Sequence, residues 1–194
     1  ALALWHIEQN NPRVVSSNDD MQGSYLGPEY SQKQIEEQLS KAGAKFKTLD
    51  EEDLIEKVAT DISKSEAIGW FQGRMEFGPR ALGNRSILGD PRSEKMQKNL
   101  NLKVKYRESF RPFAPSVLKE NLSDWFDINV ESPYMLMVAG INKNKIIEMN
   151  KEQKKLFGIE KLNVKRSEVP AITHVDYSAR IQTVKKETNE RYFK

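Results

Sequence analysis

The stretch GWFQGRMEFGPRALGNRSILGDPR (residues 69–92) sets three arginines, Arg74, Arg80 and Arg85, among the glycines Gly73, Gly78 and Gly83 and beside Pro79. Apolar side chains, among them Met75, Phe77, Leu82 and Ile87, stand between the charges. The stretch is too basic for a core and too apolar for a disordered tail. Glycine and proline bend its backbone. A bent, open backbone that gathers guanidinium groups suits an anion supplied from outside, because the planar donor fork of arginine binds phosphate oxygens in pairs. The spacing of Gly78 and Gly83 imitates a phosphate-binding P-loop. Asn84 and Arg85 stand where that motif needs Lys and Ser or Thr, and Pro79 removes an amide donor, so the P-loop reading fails.

Working outward, the basic character is local. Residues 73–111 hold ten basic side chains against four acidic ones, a local charge of +6 in a chain whose net charge is +3, which leaves −3 for the remainder. A local patch implies a local anionic partner rather than general attraction to nucleic acid. With 194 residues the chain suits one domain, or one domain with part of another. It contains no cysteine, which excludes disulfides, thiolate nucleophiles and cysteine zinc sites and fits a cytoplasmic setting. His6 and His174 are too few for a histidine metal cluster, so no metal ligands are assigned. No apolar run approaches the length of a membrane span, and the first residues lack the features of a signal peptide, so no membrane partner is expected.

The element pattern is that of an α/β chain. ALALWHIEQ reads as the end of a helix and residues 10–30 as a linker or crossing segment. Ser31 is a helix N-cap, with Ile35 and Leu39 on one face before Gly43. AKFKTL (residues 44–49) alternates like a short strand. A second helix follows at residues 50–65, with acids in its first turn, and then a buried-type strand at AIGWFQG. Beyond the arginines come a helix from near Ser93, a strand in RPFAPSVLKE, a short helix in NLSDWFDI and a hydrophobic strand in PYMLMVAGI. The lysine-rich residues 142–165 read as an exposed, mobile excursion, PAITHVDYSARIQTV as two strands around a turn, and the last ten residues as the start of a helix.

A second basic stretch, NLKVKYRESFRPFAP (residues 101–115), carries Lys105, Arg107 and Arg111 around Glu108. Glu108 is better suited to orienting an arginine than to acting as a base. Phe77, Phe110 and Phe113 lie in apolar or proline-framed surroundings that suggest burial. His174 stands two residues from Asp176, and so on the same face if a strand continues, with Ser178 and Arg180 adding a polar end. A lone histidine is more often structural than functional, and at this point both readings of His174 stand.

GPEYS (residues 27–31), the stretch at 69–92, NLKVKYRESFRPFAPSVL (residues 101–118) and PAITHVDYSARIQTV together resemble the C-terminal part of the carbamoyltransferase family, which includes nodulation-factor and antibiotic O-carbamoyltransferases. The resemblance implies a two-domain enzyme. Residues 1–24 would be the C-terminal helix of an upstream Kae1-like transfer domain with a linker. Residues 25–194 would be a YrdC/Sua5-like domain, a twisted, open, mixed sheet flanked by helices. It would use ATP, with Mg2+, and carbamoyl phosphate to form carbamoyl-adenylate for transfer to a hydroxyl acceptor. The metal of the transfer domain would lie outside this chain.

By motif position the resemblance places Arg74, Arg80, Arg85, Lys105, Arg107 and Arg111 around the phosphates and the carbamoyl group. Asn84 and Ser86 would be hydrogen-bond partners, and His174 and Arg180 would close the site from the far strand. The family pattern reads Asp-Gly-Thr-Ala-Arg where this chain has Tyr177 in place of Gly, which implies a different local turn. The family pattern also continues beyond the position of Tyr192 with an Asn-Thr-Ser-Phe-Asn tract. Its absence implies a C-terminally truncated domain that does not carbamoylate an acceptor alone. The rival reading is a YrdC-like RNA- or nucleotide-binding module without carbamoyltransferase activity. It needs aromatic rings exposed beside the basic groups for base stacking.

Overall fold

Two capped helices come first, and the reasons are local. The computed structural model describes residues 1–16 and 19–194, so residues 17 and 18 of the expected linker lie outside the described residues. Ser31 closes a capping box at α1 (Gln32–Lys41): its hydroxyl accepts from the Gln34 amide while the Gln34 side chain accepts from the Ser31 amide. Three acids, Glu51, Glu52 and Asp53, open α2 (Glu51–Ser63), where they favour the positive helix end. Residues 44–49 between them form no strand. Phe46 is exposed there and no neighbouring strand offers a ladder.

The half-buried residues of α2 lie against β1 (Ile68–Phe71), which pairs antiparallel with β2 (Arg85–Leu88). The arginine stretch is therefore the long connection between two paired strands. The helix expected from near Ser93 begins three residues later as α3 (Met96–Leu100) and runs on into a wide turn, Asn101–Lys105, which ends at Tyr106 in the left-handed region (φ 50°). Met96 and Leu100 of α3 pack on Ala171.

The core belongs to a second, mixed sheet. After β3 (Ser116–Leu118) come the short α4 (Leu122–Trp125) and β4 (Met137–Gly140). The lysine-rich segment forms two single-turn helices, α5 (Lys151–Lys155) and α6 (Gly158–Leu162). Next is β5 (Ser178–Val184), and α7 (Glu190–Phe193) ends the chain. β5 is central, with β3 parallel on one side and β4 antiparallel on the other. Ala179 and Ile181 on one face of β5 are fully buried against Leu122, Phe126, Ala139 and Ile172. Arg180 and Gln182 point to the opposite face, where Val138 stands across from Arg180 and Ser116 across from Gln182. The chain is thus mixed α/β, with two small sheets flanked by helices and no barrel among the described residues.

Two expectations are corrected. Residues 170–184 make one strand, not two, because Pro170–Ile172 is a tight helical turn that buries Ala171 and Ile172 in the core. The lysine-rich segment is anchored at its end by Arg166, a buried guanidinium that donates to the carbonyls of Lys161, Leu162, Val164, Thr173 and His174. Ion pairs Lys145–Glu168 and Lys165–Glu94, each 3.0 Å, hold its flanks. Among the described residues no helix is long and apolar enough to cross a membrane.

Candidate functional site

The loop between β1 and β2 is folded around its own acid. Glu76, 6% exposed, points Oε1 at three backbone amides: Leu82 and Asn84 at 2.8 Å and Arg85 at 3.1 Å. Three converging N–H groups make a concavity suited to an anion, and here the chain fills it with its own carboxylate. Beside it Gln72 donates to Gly83 O, Asn84 Oδ1 and Asn189 Oδ1. Asn189 donates back to Asn84 Oδ1 at 2.7 Å and to the Tyr25 hydroxyl at 3.0 Å. Tyr25 and Gln182 both donate to the carbonyl of Leu82. Residues from the N-terminal segment, the loop, β5 and the C-terminal helix thus meet at one buried polar hub.

This hub decides which arginines remain free. Arg85 lies over the Phe71 ring at 3.4 Å, opposite it in the strand pair, and donates to the carbonyls of Gln72, Gly73 and Asn84. Asn84 is buried and donates to Arg74 O, and the Ser86 hydroxyl accepts from the Gly83 amide. Arg74 turns away to Gly27 O and Glu29, beside a shallow hollow lined by Tyr30 and Ser31. Arg80 is exposed and, among the described residues, makes no ion pair or hydrogen bond.

Burial lowers the Arg180 guanidinium below its usual value, and the charge of Arg80 pushes the same way. Arg180 Nε is buried without a partner. Burial likewise lowers His174, Arg180 and Arg166 push in that direction, and Asp176 opposes them. Arg80 acts on Arg180, and Arg180 on His174, through charge, forming an electropositive corner in which, among the described residues, neither arginine makes an ion pair with a carboxylate.

Arg107 and Arg111 form a second group, organised by the fully buried Asn101. Its side chain donates to Ser109 O and Arg111 O and accepts from Arg107 Nε at 2.6 Å. Arg107 also lies over Phe113 at 5.0 Å. Arg111 pairs with Glu108 at 2.9 Å, which is the orienting contact expected of that acid. Lys105 is exposed. The Phe113 amide bonds Ala171 O, so this group adjoins the segment that leads to His174. The expected burial of the three phenylalanines holds only for Phe113, which packs on the core; Phe77 is 72% and Phe110 42% exposed.

The carbamoyltransferase C-terminus family model matches residues 59–194, a span that contains the whole arginine loop, the Asn101 group and β5. The chain belongs to that family. Among curated relatives, the Synechocystis protein sll1178 is 55% identical over 195 residues, covering all of this chain and 32% of the relative. Nodulation protein NolNO of Sinorhizobium fredii is 37% identical over 191 residues, 96% of this chain and 24% of the relative. The 3'-hydroxymethylcephem-O-carbamoyltransferase of Amycolatopsis lactamdurans is 35% identical over 128 residues, 66% of this chain and 20% of the relative. The chain spans about a third or less of the length of these relatives.

Tyr177, where the resemblance leads one to expect glycine, takes a left-handed backbone (φ 63°). Its amide bonds His174 O, and Ser178 donates to Asp176 from both amide and hydroxyl. Tyr177 therefore holds, within this turn, a backbone conformation that glycine takes more readily. Sequence reasoning missed Glu76, Gln72, Asn189, Arg166 and Tyr25. A single acid embedded among loop arginines was the one available signal, and it pointed to Glu76.

Proposed function

We propose that this chain is the part of an O-carbamoyltransferase that binds ATP and carbamoyl phosphate: water releases phosphate from carbamoyl phosphate, and the resulting carbamate oxygen attacks the α-phosphorus of ATP, giving carbamoyl-adenylate and pyrophosphate. A Kae1-like part of the same protein then passes the carbamoyl group to a hydroxyl acceptor. What carries this reading is the corner of Arg80 and Arg180, guanidinium groups coupled through charge that make no ion pair with an acid among the described residues. Such a pair is costly until an anion arrives, and the buried, unpartnered Nε of Arg180 is a donor waiting for an acceptor. Carbamoyl phosphate and a nucleotide triphosphate repel each other, and fixed cations offset that repulsion and the charge that gathers at the α-phosphorus. Arg80 and Arg180 would bind phosphate oxygens, and His174 would complete the corner. Arg107 and Arg111, already oriented by Asn101 and Glu108, would extend the cationic bed with Lys105.

Among the described residues no cluster of three or more His, Cys, Asp or Glu could hold a metal ion, so the magnesium in this account arrives on the phosphates of ATP. Exchange of labelled pyrophosphate into ATP, with and without carbamoyl phosphate, tests the reading. Exchange that depends on carbamoyl phosphate is expected; exchange that ignores it, or none, would contradict the adenylation step. The exposure of Phe77, Phe110 and Tyr106 beside basic groups favours a second reading, a single-stranded RNA surface. Titration with an unstructured RNA in competition with ATP separates the two.

A further inference from the structure

We infer that Glu76 is a positioning residue: its carboxylate occupies the loop's own amide concavity and so makes the loop present Arg80, not its backbone, to the anionic substrate. The inference rests on the anion-binding reading of Arg80 and Arg180. Its ground is geometric. A glycine-bent run whose successive N–H groups converge would itself be an anion cradle. In this chain Leu82, Asn84 and Arg85 spend those groups on Glu76 Oε1 at 2.8, 2.8 and 3.1 Å, the first two in the range of charge-assisted bonds. Glu76 is 6% exposed, so the acid lies beneath the loop and leaves the surface to Arg80.

Each end of the arrangement is pinned. Asn84 reaches Arg74 O at 2.7 Å on the entering side of the loop, and the Leu82 carbonyl is held by Tyr25 and Gln182. The Phe77 amide is bonded to Ser24 O at 2.7 Å, and residues 78–81, the arc that carries Arg80, carry no such tie among the described residues, with Glu76 closing the base of that arc. A missing side chain at position 76 would free the three amides and a neutral one would hold them less firmly, letting the arc and its guanidinium spread over many positions. The substrate would then have to order Arg80 on binding, and affinity would fall by that ordering cost.

The probe is inorganic tripolyphosphate, titrated into the wild-type chain, Glu76→Gln, Arg80→Ala and the double variant. Glu76→Gln keeps an oxygen acceptor of the same shape and is the variant expected to fold. Arg80→Ala is expected to weaken binding about tenfold in the wild-type background and less than about twofold in the Glu76→Gln background, the mark of two residues acting as one. Glu76→Ala supplies a second arm: formate, which fits the vacated amides, should restore most of the lost affinity while chloride should not. Equal Arg80→Ala penalties in both backgrounds would overturn the inference and leave Glu76 a merely structural acid. Hydrogen exchange on the unliganded protein keeps the two failures apart. If the Leu82, Asn84 and Arg85 amides exchange as fast in the wild type as in Glu76→Gln, the inference fails whatever binds. If they are protected but the wild type binds no tripolyphosphate, the anion-binding reading fails and takes the role of Arg80 with it.

Discussion

A Cβ placed on Gly83 would stand 2.4 Å from Cδ1 of Tyr192, so the tyrosine ring near the end of the chain lies directly over the arginine loop near its β2 end. The ring cannot retreat freely, because its hydroxyl is bonded to Ser116 at 2.8 Å. Gly83 also has φ 110°, a conformation that side-chain-bearing residues avoid. Gly83→Ala should therefore cost about 2 kcal/mol or more, from strain and overpacking together. Thermal denaturation would show this as a melting temperature lower by several degrees.

The amide hub ties α7 to the same loop. Asn189 makes bonds to Asn84, Gln72 and Tyr25, all in a largely buried setting. Asn189→Ala would strand their donors and acceptors and should destabilise the chain by about 1–3 kcal/mol. Chemical denaturation would measure it, and Glu190→Ala on the exposed side of α7 should stay within about 0.5 kcal/mol of the wild type.

Arg80 and Arg85 look alike in sequence and should behave oppositely. Arg85 holds three carbonyls and an aromatic face, so Arg85→Ala should lower the melting temperature, and Arg85→Lys should not rescue it, since an ammonium group lacks the planar fork. Arg80→Ala should leave stability within about 0.5 kcal/mol of the wild type, because nothing in the chain depends on it.

That contrast marks what was legible in the sequence and what was not. The caps at Ser31, the acids at the start of α2, the hydrophobic strand in 133–141 and the Glu108–Arg111 pairing follow from short-range rules and are present. The clustering of arginines pointed correctly to a bent loop. Which arginine stays free was not legible, because it depends on contacts between positions far apart in the chain: Gln72 with Asn189, Tyr25 with Leu82, Arg166 with His174. The strand expected at 44–49 failed for a related reason. Alternation makes a strand possible, but a ladder needs a partner, and none lies there.

The histidine gives a pH signature. Burial, with Arg180 and Arg166 assisting, holds His174 below its usual value, so the folded chain prefers it neutral. The unfolded chain binds the proton more readily, and stability rises with pH through the region near and below the ordinary imidazole value of about 6.5. Acidification from pH 7 to 5 should therefore destabilise the wild type more than His174→Gln. Asp176 works in a separate window. Its bonds to Ser178 lower it, so its contribution is lost only as the pH falls below the ordinary carboxylate range, near 4.

The most direct test of the account is calorimetric titration of the chain with Mg-ATP, alone and with carbamoyl phosphate present, on the wild type and Arg80→Ala. The account predicts binding by the wild type and a loss of about tenfold or more in Arg80→Ala with no change in melting temperature. Equal binding by the two proteins would contradict it, since the anion would then be held somewhere other than the corner of Arg80 and Arg180.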